Sequence, residues 1–264
     1  MREVLDRYDV HPARALGQNF VLDPNTIRKV VETAGVSSGD TVLEIGAGAG
    51  SLTLGLAGAA RRVVAVEFDR RLAAALREVV AGVSNVEVVE ADALRLDLSA
   101  FDAAHLVANL PYNIATPLVV RALEQAPRLV SLTVMTQREV GERLAARPGS
   151  KAYGQVSVVV GYFAVATVAA SVSRRAFYPE PNVDSVIVRM VRKPSQPEVD
   201  RRRLFEIVRH AFSQRRKTLR NALTPLAGST ASAEDALRRA ALEPQARAED
   251  VDLDGFVALA RALT

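Results

Sequence analysis

Between residues 41 and 146, short apolar runs alternate with amphipathic stretches, and no other feature constrains the fold as much. Runs at 41–45, 63–66, 86–90, 104–108 and 129–135 are dominated by Val, Leu, Ile and Ala and are short enough to be buried strands. Segments 52–60, 70–81, 117–125 and 138–146 read as helices between and after them. Strands joined through helices need crossover connections, so the pattern predicts an α/β architecture: a parallel sheet covered on both faces. Residues 1–39 read as helical, with Asp23-Pro24 as cap and first turn of a helix through Ala34. The Val-rich run 156–172 suits either period and is expected to form two buried elements in succession. A strand at 185–191 follows, then a linker from Pro194 to Pro197, then helices over 201–263 broken by Gly, Ser and Thr at 228–232. Two domains are expected, residues 1–194 and a small helical one at 195–264, with no internal repeat.

Composition removes several chemistries. The chain has no cysteine, which excludes disulfides, thiolate zinc sites and a cysteine nucleophile. His11, His105 and His210 lie far apart without ligand spacing, so no metal is expected. The first fourteen residues are mixed in charge and lack the apolar run of a secretory signal. The uncharged stretch 153–173 is long enough for a membrane helix, but its Gly, Gln, Ser and Thr residues favour buried elements. A cytoplasmic protein without membrane association is expected. Charge is uneven: residues 201–221 carry eight basic side chains against Glu206 alone, whereas 222–264 are net acidic. Such a segment is either a phosphate-binding face or a solvated helix surface.

The ends of the predicted strands carry the chemistry. After the first strand comes Glu44-Ile45-Gly46-Ala47-Gly48-Ala49-Gly50, whose glycines allow close backbone approach to a ligand. The dinucleotide fingerprint would place glycine at 51, which is serine here. The loop fits a nucleoside-binding turn better, and a Gly-rich turn of another nucleotide binder is the alternative. Glu67 ends the second strand, where a carboxylate can accept hydrogen bonds from ribose hydroxyls. Asp92 ends the third, placed to accept from an adenine amino group. The fourth ends in Asn109-Leu110-Pro111-Tyr112: an amide, a carbonyl before proline and an aromatic face. That set could hold the exocyclic amino group of a planar base, or it could be an ordinary strand-to-loop turn.

Four segments occur in order: Leu16-Gly17-Gln18-Asn19-Phe20, the glycine loop, Asn109-Leu110-Pro111-Tyr112-Asn113, and Phe177-Tyr178-Pro179-Glu180-Pro181-Asn182-Val183-Asp184-Ser185. Together with 212–221, they resemble the KsgA family of small-subunit (16S) rRNA adenine N6,N6-dimethyltransferases over nearly the whole chain. The resemblance implies a Rossmann-like S-adenosylmethionine (SAM)-dependent methyltransferase fold with a small C-terminal helical domain. It implies that Asn19 and Val21 line the cofactor pocket with Gly46, Gly48, Glu67, Asp92 and Asn109. Val21 stands where leucine is commoner. It implies SAM as cofactor, S-adenosyl-L-homocysteine as product, and 16S rRNA within the small ribosomal subunit as partner; a monomer is expected.

On this reading the Asn109 side-chain oxygen and the Leu110 carbonyl accept the two hydrogens of adenine N6. Pro111 fixes the loop, and Tyr112 and Phe177 stack on the base. Arg215, Arg216, Lys217 and Arg220 would neutralise RNA phosphates. Three rivals remain: a large-subunit rRNA adenine methyltransferase of the antibiotic-resistance kind, a non-enzymatic assembly or transcription factor on the same fold, and an NAD oxidoreductase. Asn113 and the basic tail favour the small-subunit class, the intact Asn109 and strand-end acids favour catalysis, and Ser51 disfavours NAD.

Overall fold

The computed structural model describes residues 7–9, 18–214 and 217–263, without the side chain of Tyr112. The helical expectation for residues 1–6 and 10–17, the Leu16-Gly17 half of the first motif, and Arg215 and Arg216 lie outside the described residues.

The chain divides into two compact units, residues 1–142 with 165–192, and residues 143–164 with 193–264. A single boundary near 194 was expected. The chain instead passes between the units three times, because 143–164 clusters with the C-terminal residues.

In the first unit the strands are β1 (Phe20–Val21), β2 (Thr41–Ile45), β3 (Arg62–Glu67), β4 (Val86–Glu90), β5 (His105–Asn109), β6 (Ser131–Gln137), β7 (Ala164–Val172), β8 (Phe177–Tyr178) and β9 (Ser185–Arg192). The helices around them are α1 (Pro24–Ala34), α2 (Ser51–Ala57), α3 (Arg70–Val79), α4 (Tyr112–Gln125) and α5 (Arg138–Leu144). Seven strands form one sheet in the order β4-β3-β2-β5-β6-β9-β7, and β1 pairs separately with β8. Strands β2 to β6 pair in parallel, as the alternation predicts. Strand β9 runs antiparallel to β6, so the sheet is mixed rather than wholly parallel. From β2 the chain builds outward through β3 and β4, then returns to lay β5 on the other side of β2. Ligands bind at such reversals, beyond the carboxyl ends of the strands.

Local chemistry explains most boundaries. Asp23 caps α1 by accepting from the backbone N–H groups of Asn25 and Thr26, and Asp69 caps α3 in the same way. Helix α4 starts at Tyr112, not at 117. Pro111 precedes it with φ −62°, preset for a helix start and lacking an N–H, while Pro117 is tolerated inside. The stretch 156–172 does form two elements, but only the first is buried. Strand β7 is an edge strand whose Val165 and Val168 are exposed, contrary to expectation. Residues 20–21 are strand, not helix, because β8 offers them a partner.

The second unit contains α6 (Gln155–Phe163), α7 (Arg201–Ser213), α8 (Leu219–Ala227), α9 (Thr230–Arg239) and α10 (Leu253–Ala262). Leu204, Ile207, Leu223, Leu237 and Phe256 fill its core. Phe212 packs between Tyr153 and Phe256, and the Tyr153 hydroxyl donates to the Val251 carbonyl at 3.0 Å. Among the described residues, no helix is long and apolar enough to cross a membrane.

Candidate active site

One cavity of about 350 Å³ opens where the strand order reverses, and its wall comes from the first unit alone. The carboxyl ends of four strands are level there: Ile45 is in register with Val66 and with Ala108, and Glu67 with Glu90. Each strand end contributes one of the groups expected from sequence.

The loop after β2 is tied to β3, since the N–H groups of Gly46 and Ala47 both donate to the Val66 carbonyl, at 2.9 and 3.2 Å. Gly48 has φ +59°, and a Cβ there would lie 3.1 Å from the Phe20 ring. Gly50, at φ +93°, would bring a Cβ to 2.8 Å from Leu76 Cδ1. Backbone handedness and lack of room both call for glycine at these two positions.

Glu67 is oriented by the backbone. Its Oε2 accepts from Gly48 N–H at 2.7 Å and its Oε1 from Asp69 N–H at 2.8 Å. Each oxygen keeps lone-pair capacity for a second donor on the cavity side. Burial raises the Glu67 carboxyl above its ordinary value, and the backbone N–H groups of Asp69, Gly48 and Phe68 oppose that rise. Asp92 Oδ1 accepts from Leu94 N–H at 2.9 Å, and the side chain stays partly open on the cavity wall.

The amide at the end of β5 is also held. Asn109 Nδ2 donates to the Asn19 carbonyl at 2.9 Å, which leaves Oδ1 as its unused acceptor. Leu110 N–H donates to the Met135 carbonyl at 2.9 Å, which fixes the adjoining peptide. Segment 19–22 is pinned in turn by the β1–β8 ladder and by the bond from Leu22 N–H to the Ala176 carbonyl. That ladder sets Phe177 opposite Val21, and buried Phe177 forms part of the cavity wall.

The cavity wall therefore includes Asn19, Gly46, Gly48, Glu67, Asp92, Asn109, Leu110, Pro111 and Phe177. Val21 departs from expectation. Successive side chains of a strand point oppositely, so Phe20 faces the cavity while Val21 is buried in the sheet core. Arg220 departs too: it lies partly buried on the inner side of α8 and pairs with Glu234 at 3.5 Å. Lys217 is exposed. Sequence reasoning missed Phe68, exposed at 71% although it lines the cavity beside Glu67. An aromatic directly after a strand-end acid was the signal available. It also missed Gln137 and Ser185, which only the β6–β9 ladder brings to the cavity.

Beneath the loop, Glu44 is wholly buried on β2, and its Oε2 has no protein partner among the described residues. Burial, reinforced by the charge of Glu67 and opposed by the neighbouring Thr53 hydroxyl, pushes its carboxyl up to about 8.

A carboxylate, a glycine loop and an amide around one cavity suit a nucleoside-bearing cofactor beside a base. The family model for ribosomal RNA adenine dimethylases matches residues 12–263. The chain belongs to that family. A ribosomal RNA small subunit methyltransferase A from Leifsonia xyli subsp. xyli is 46% identical over 98% of this chain and 95% of its own length. The protein of that name from Thermobifida fusca is also 46% identical, over 98% and 93%. Among solved structures, a dimethyladenosine transferase from Plasmodium falciparum superposes with TM-score 0.81 at 27% identity, covering 91% of this chain and 95% of the other. The 23S rRNA methyltransferase ErmE superposes with TM-score 0.74 at 30% identity, covering 92% and 99%. Dimethylases of this family are SAM-dependent methyltransferases, and the site fits that cofactor. Glu67 offers two oriented oxygens to a diol, and the glycine loop leaves space that a Cβ would fill.

This dimethylase-family site makes a direct prediction. Glu67→Ala removes the diol acceptor and strands two backbone N–H groups, so cofactor affinity should fall about tenfold to a hundredfold by calorimetry. Because burial raises this carboxyl, wild-type affinity should begin to fall on acidification at a higher pH than for an exposed glutamate. Unchanged affinity in the alanine variant would remove Glu67 from the cofactor site.

Proposed function

We propose that the chain dimethylates N6 of two adjacent adenines near the 3′ end of 16S rRNA, within the small ribosomal subunit, as one step of ribosome biogenesis. One observation carries the reading: the Asn109–Leu110 acceptors line the same cavity as Glu67 and Asp92. An amino-bearing base and a nucleoside cofactor can therefore meet in one enclosure. Near full-length likeness to proteins named for the small ribosomal subunit supports the substrate.

SAM, when bound, supplies a methyl group on a positively charged sulfur. Glu67 would accept from its ribose hydroxyls, Asp92 from its adenine amino group, and the glycine loop would admit its backbone-proximal atoms. The target adenine must leave its stack to enter. Asn109 Oδ1 and the Leu110 carbonyl would each accept one N6 hydrogen, drawing the nitrogen towards tetrahedral geometry and freeing its lone pair. Phe177 provides a face for the ring. Holding the two reactants in line is the main catalytic device, and it needs no side-chain base. The N6 proton becomes acidic once the nitrogen is alkylated and leaves to water.

The unit of residues 1–142 with 165–192 is catalytic on this proposal, and the helical unit of 143–164 with 193–264 contacts RNA through its C-terminal part. Exposed Arg201, Arg202, Arg209 and Lys217 support that role, and Arg215 and Arg216 adjoin them in sequence. SAM is the only cofactor, its product is S-adenosyl-L-homocysteine, and the enzyme works as a cytoplasmic monomer without a metal.

The test offers the protein and methyl-labelled SAM to small subunits, large subunits and naked RNA, then identifies the labelled nucleoside by mass spectrometry. Label should appear as N6,N6-dimethyladenosine at two neighbouring positions of small-subunit RNA. Label confined to large-subunit RNA would assign the activity for which ErmE is named, and no label in any substrate would leave a binding factor.

A further inference from the structure

The cavity extends past the Asn109–Leu110–Pro111 turn to a wall built from the ends of β6 and β9. Gln137 ends β6 and Ser185 begins β9, and they are Cα partners in the antiparallel ladder. Both line the cavity, and the structure gives neither side chain a hydrogen bond to protein among the described residues. Directly opposed residues of such a ladder carry side chains on one face, about 5 Å apart. Asn109 is the register partner of Met135, two residues before Gln137. Period-two alternation therefore puts Asn109, Met135 and Gln137 on the same face. A two-residue step combined with the spacing between strands separates Asn109 and Gln137 by roughly 8 Å of backbone. A purine whose amino edge meets Asn109 can bridge that gap.

A base entering the cavity would strip water from the Gln137 carboxamide, which then needs a new partner. Adenine offers acceptor nitrogens on both sides of its amino group, N1 on one edge and N7 on the other. We propose that Gln137 is a substrate-contacting specificity residue, its Nε2 donating to one of these ring nitrogens of the flipped adenine. The Ser185 hydroxyl is the polar neighbour across the ladder. The inference rests on the reading of this cavity as an adenine pocket, and deepens it. Asn109 Oδ1 and the Leu110 carbonyl demand an amino group, and Gln137 demands an unprotonated ring nitrogen beside it. Guanine fails the first demand with O6, and fails the second with N1–H if N1 is the atom read.

The test compares Gln137→Met, which keeps length and loses the hydrogen bond, with Gln137→Glu, which replaces the donor by an acceptor. Cofactor affinity by calorimetry should stay within about twofold of wild type, while kcat/KM on small subunits falls about tenfold to a hundredfold, more for the glutamate. Subunits carrying 1-deazaadenosine or 7-deazaadenosine at the target positions then name the atom. With one of the two, wild type should lose as much as Gln137→Met loses on natural RNA, and that variant should lose no more. Wild-type kcat/KM in Gln137→Met overturns the proposal. So does an equal further loss in variant and wild type with both analogues, or a loss confined to cofactor affinity. Asn109→Ala, assayed alongside, separates two failures. Loss there with both Gln137 variants intact rejects this inference alone, whereas loss in none of the three rejects the adenine pocket itself.

Discussion

Asn109→Ala should bind SAM within a few-fold of wild type and transfer methyl at least about a hundredfold more slowly, in line with the loss of one preorganised group in an enclosed site. The expectation comes from how the amide is held. Its Nδ2 is committed to the Asn19 carbonyl at 2.9 Å, so Oδ1 is the atom that meets the substrate. Alanine removes that acceptor and the bond from Nδ2 to the Asn19 carbonyl, but touches neither Glu67 nor the glycine loop. Asn109→Asp is the more demanding variant. It keeps an acceptor but sets a carboxylate oxygen against the Asn19 carbonyl oxygen, so the side chain should swing out of line and activity should again fall. Single-turnover assays with saturating cofactor, paired with calorimetry, read both outcomes. Normal turnover in Asn109→Ala would remove the amide from the chemistry.

The strand-end groups were legible in sequence because each depends on local order alone. A buried run followed by an acid, a glycine loop or Asn-Leu-Pro places the group at a carboxyl edge, and parallel pairing brings those edges level. Glu67, Asp92 and Asn109 meet for that reason. Features that depend on a distant partner were not legible. Strand β9 reads as a strand, but nothing in its own residues says that it runs antiparallel to β6. Gln137 and Ser185 become neighbours only through that pairing. The partly buried state of Arg220 depends on Glu234 of another helix, which a run of basic residues does not reveal. Val21 shows a smaller failure of the same kind. The motif marks the segment correctly, yet which of two successive side chains faces the cavity is decided by the pairing of β1 with β8.

Glu44→Gln should raise stability at neutral and mildly basic pH, and the gain should vanish in acid. Glu44 is wholly buried, its Oε2 lacks a protein partner among the described residues, and its carboxyl is pushed up from 4.5 to about 8, chiefly by burial. Below pH 4.5 the folded and unfolded chains both hold this proton. Between 4.5 and 8 the unfolded chain releases it while the folded chain keeps it, so the group's contribution to folding declines as pH rises through that window. Above 8 the contribution is constant. Each unit of difference is worth about 1.4 kcal/mol, so the decline is on the order of several kcal/mol. Glutamine has the shape of the neutral acid and cannot ionise. Denaturant unfolding of the two proteins should therefore give nearly equal midpoints at about pH 4.5 and a midpoint for Glu44→Gln that is clearly higher at about pH 8. Taking the difference between the proteins cancels the titrating groups that do not feel Glu44, whereas Glu67, whose charge reinforces the rise, is coupled to it and contributes to the difference. Parallel pH profiles would mean that Glu44 ionises in the folded chain as readily as in water, with a partner for its Oε2. The glycine loop above it would then rest on a charge rather than on a neutral acid.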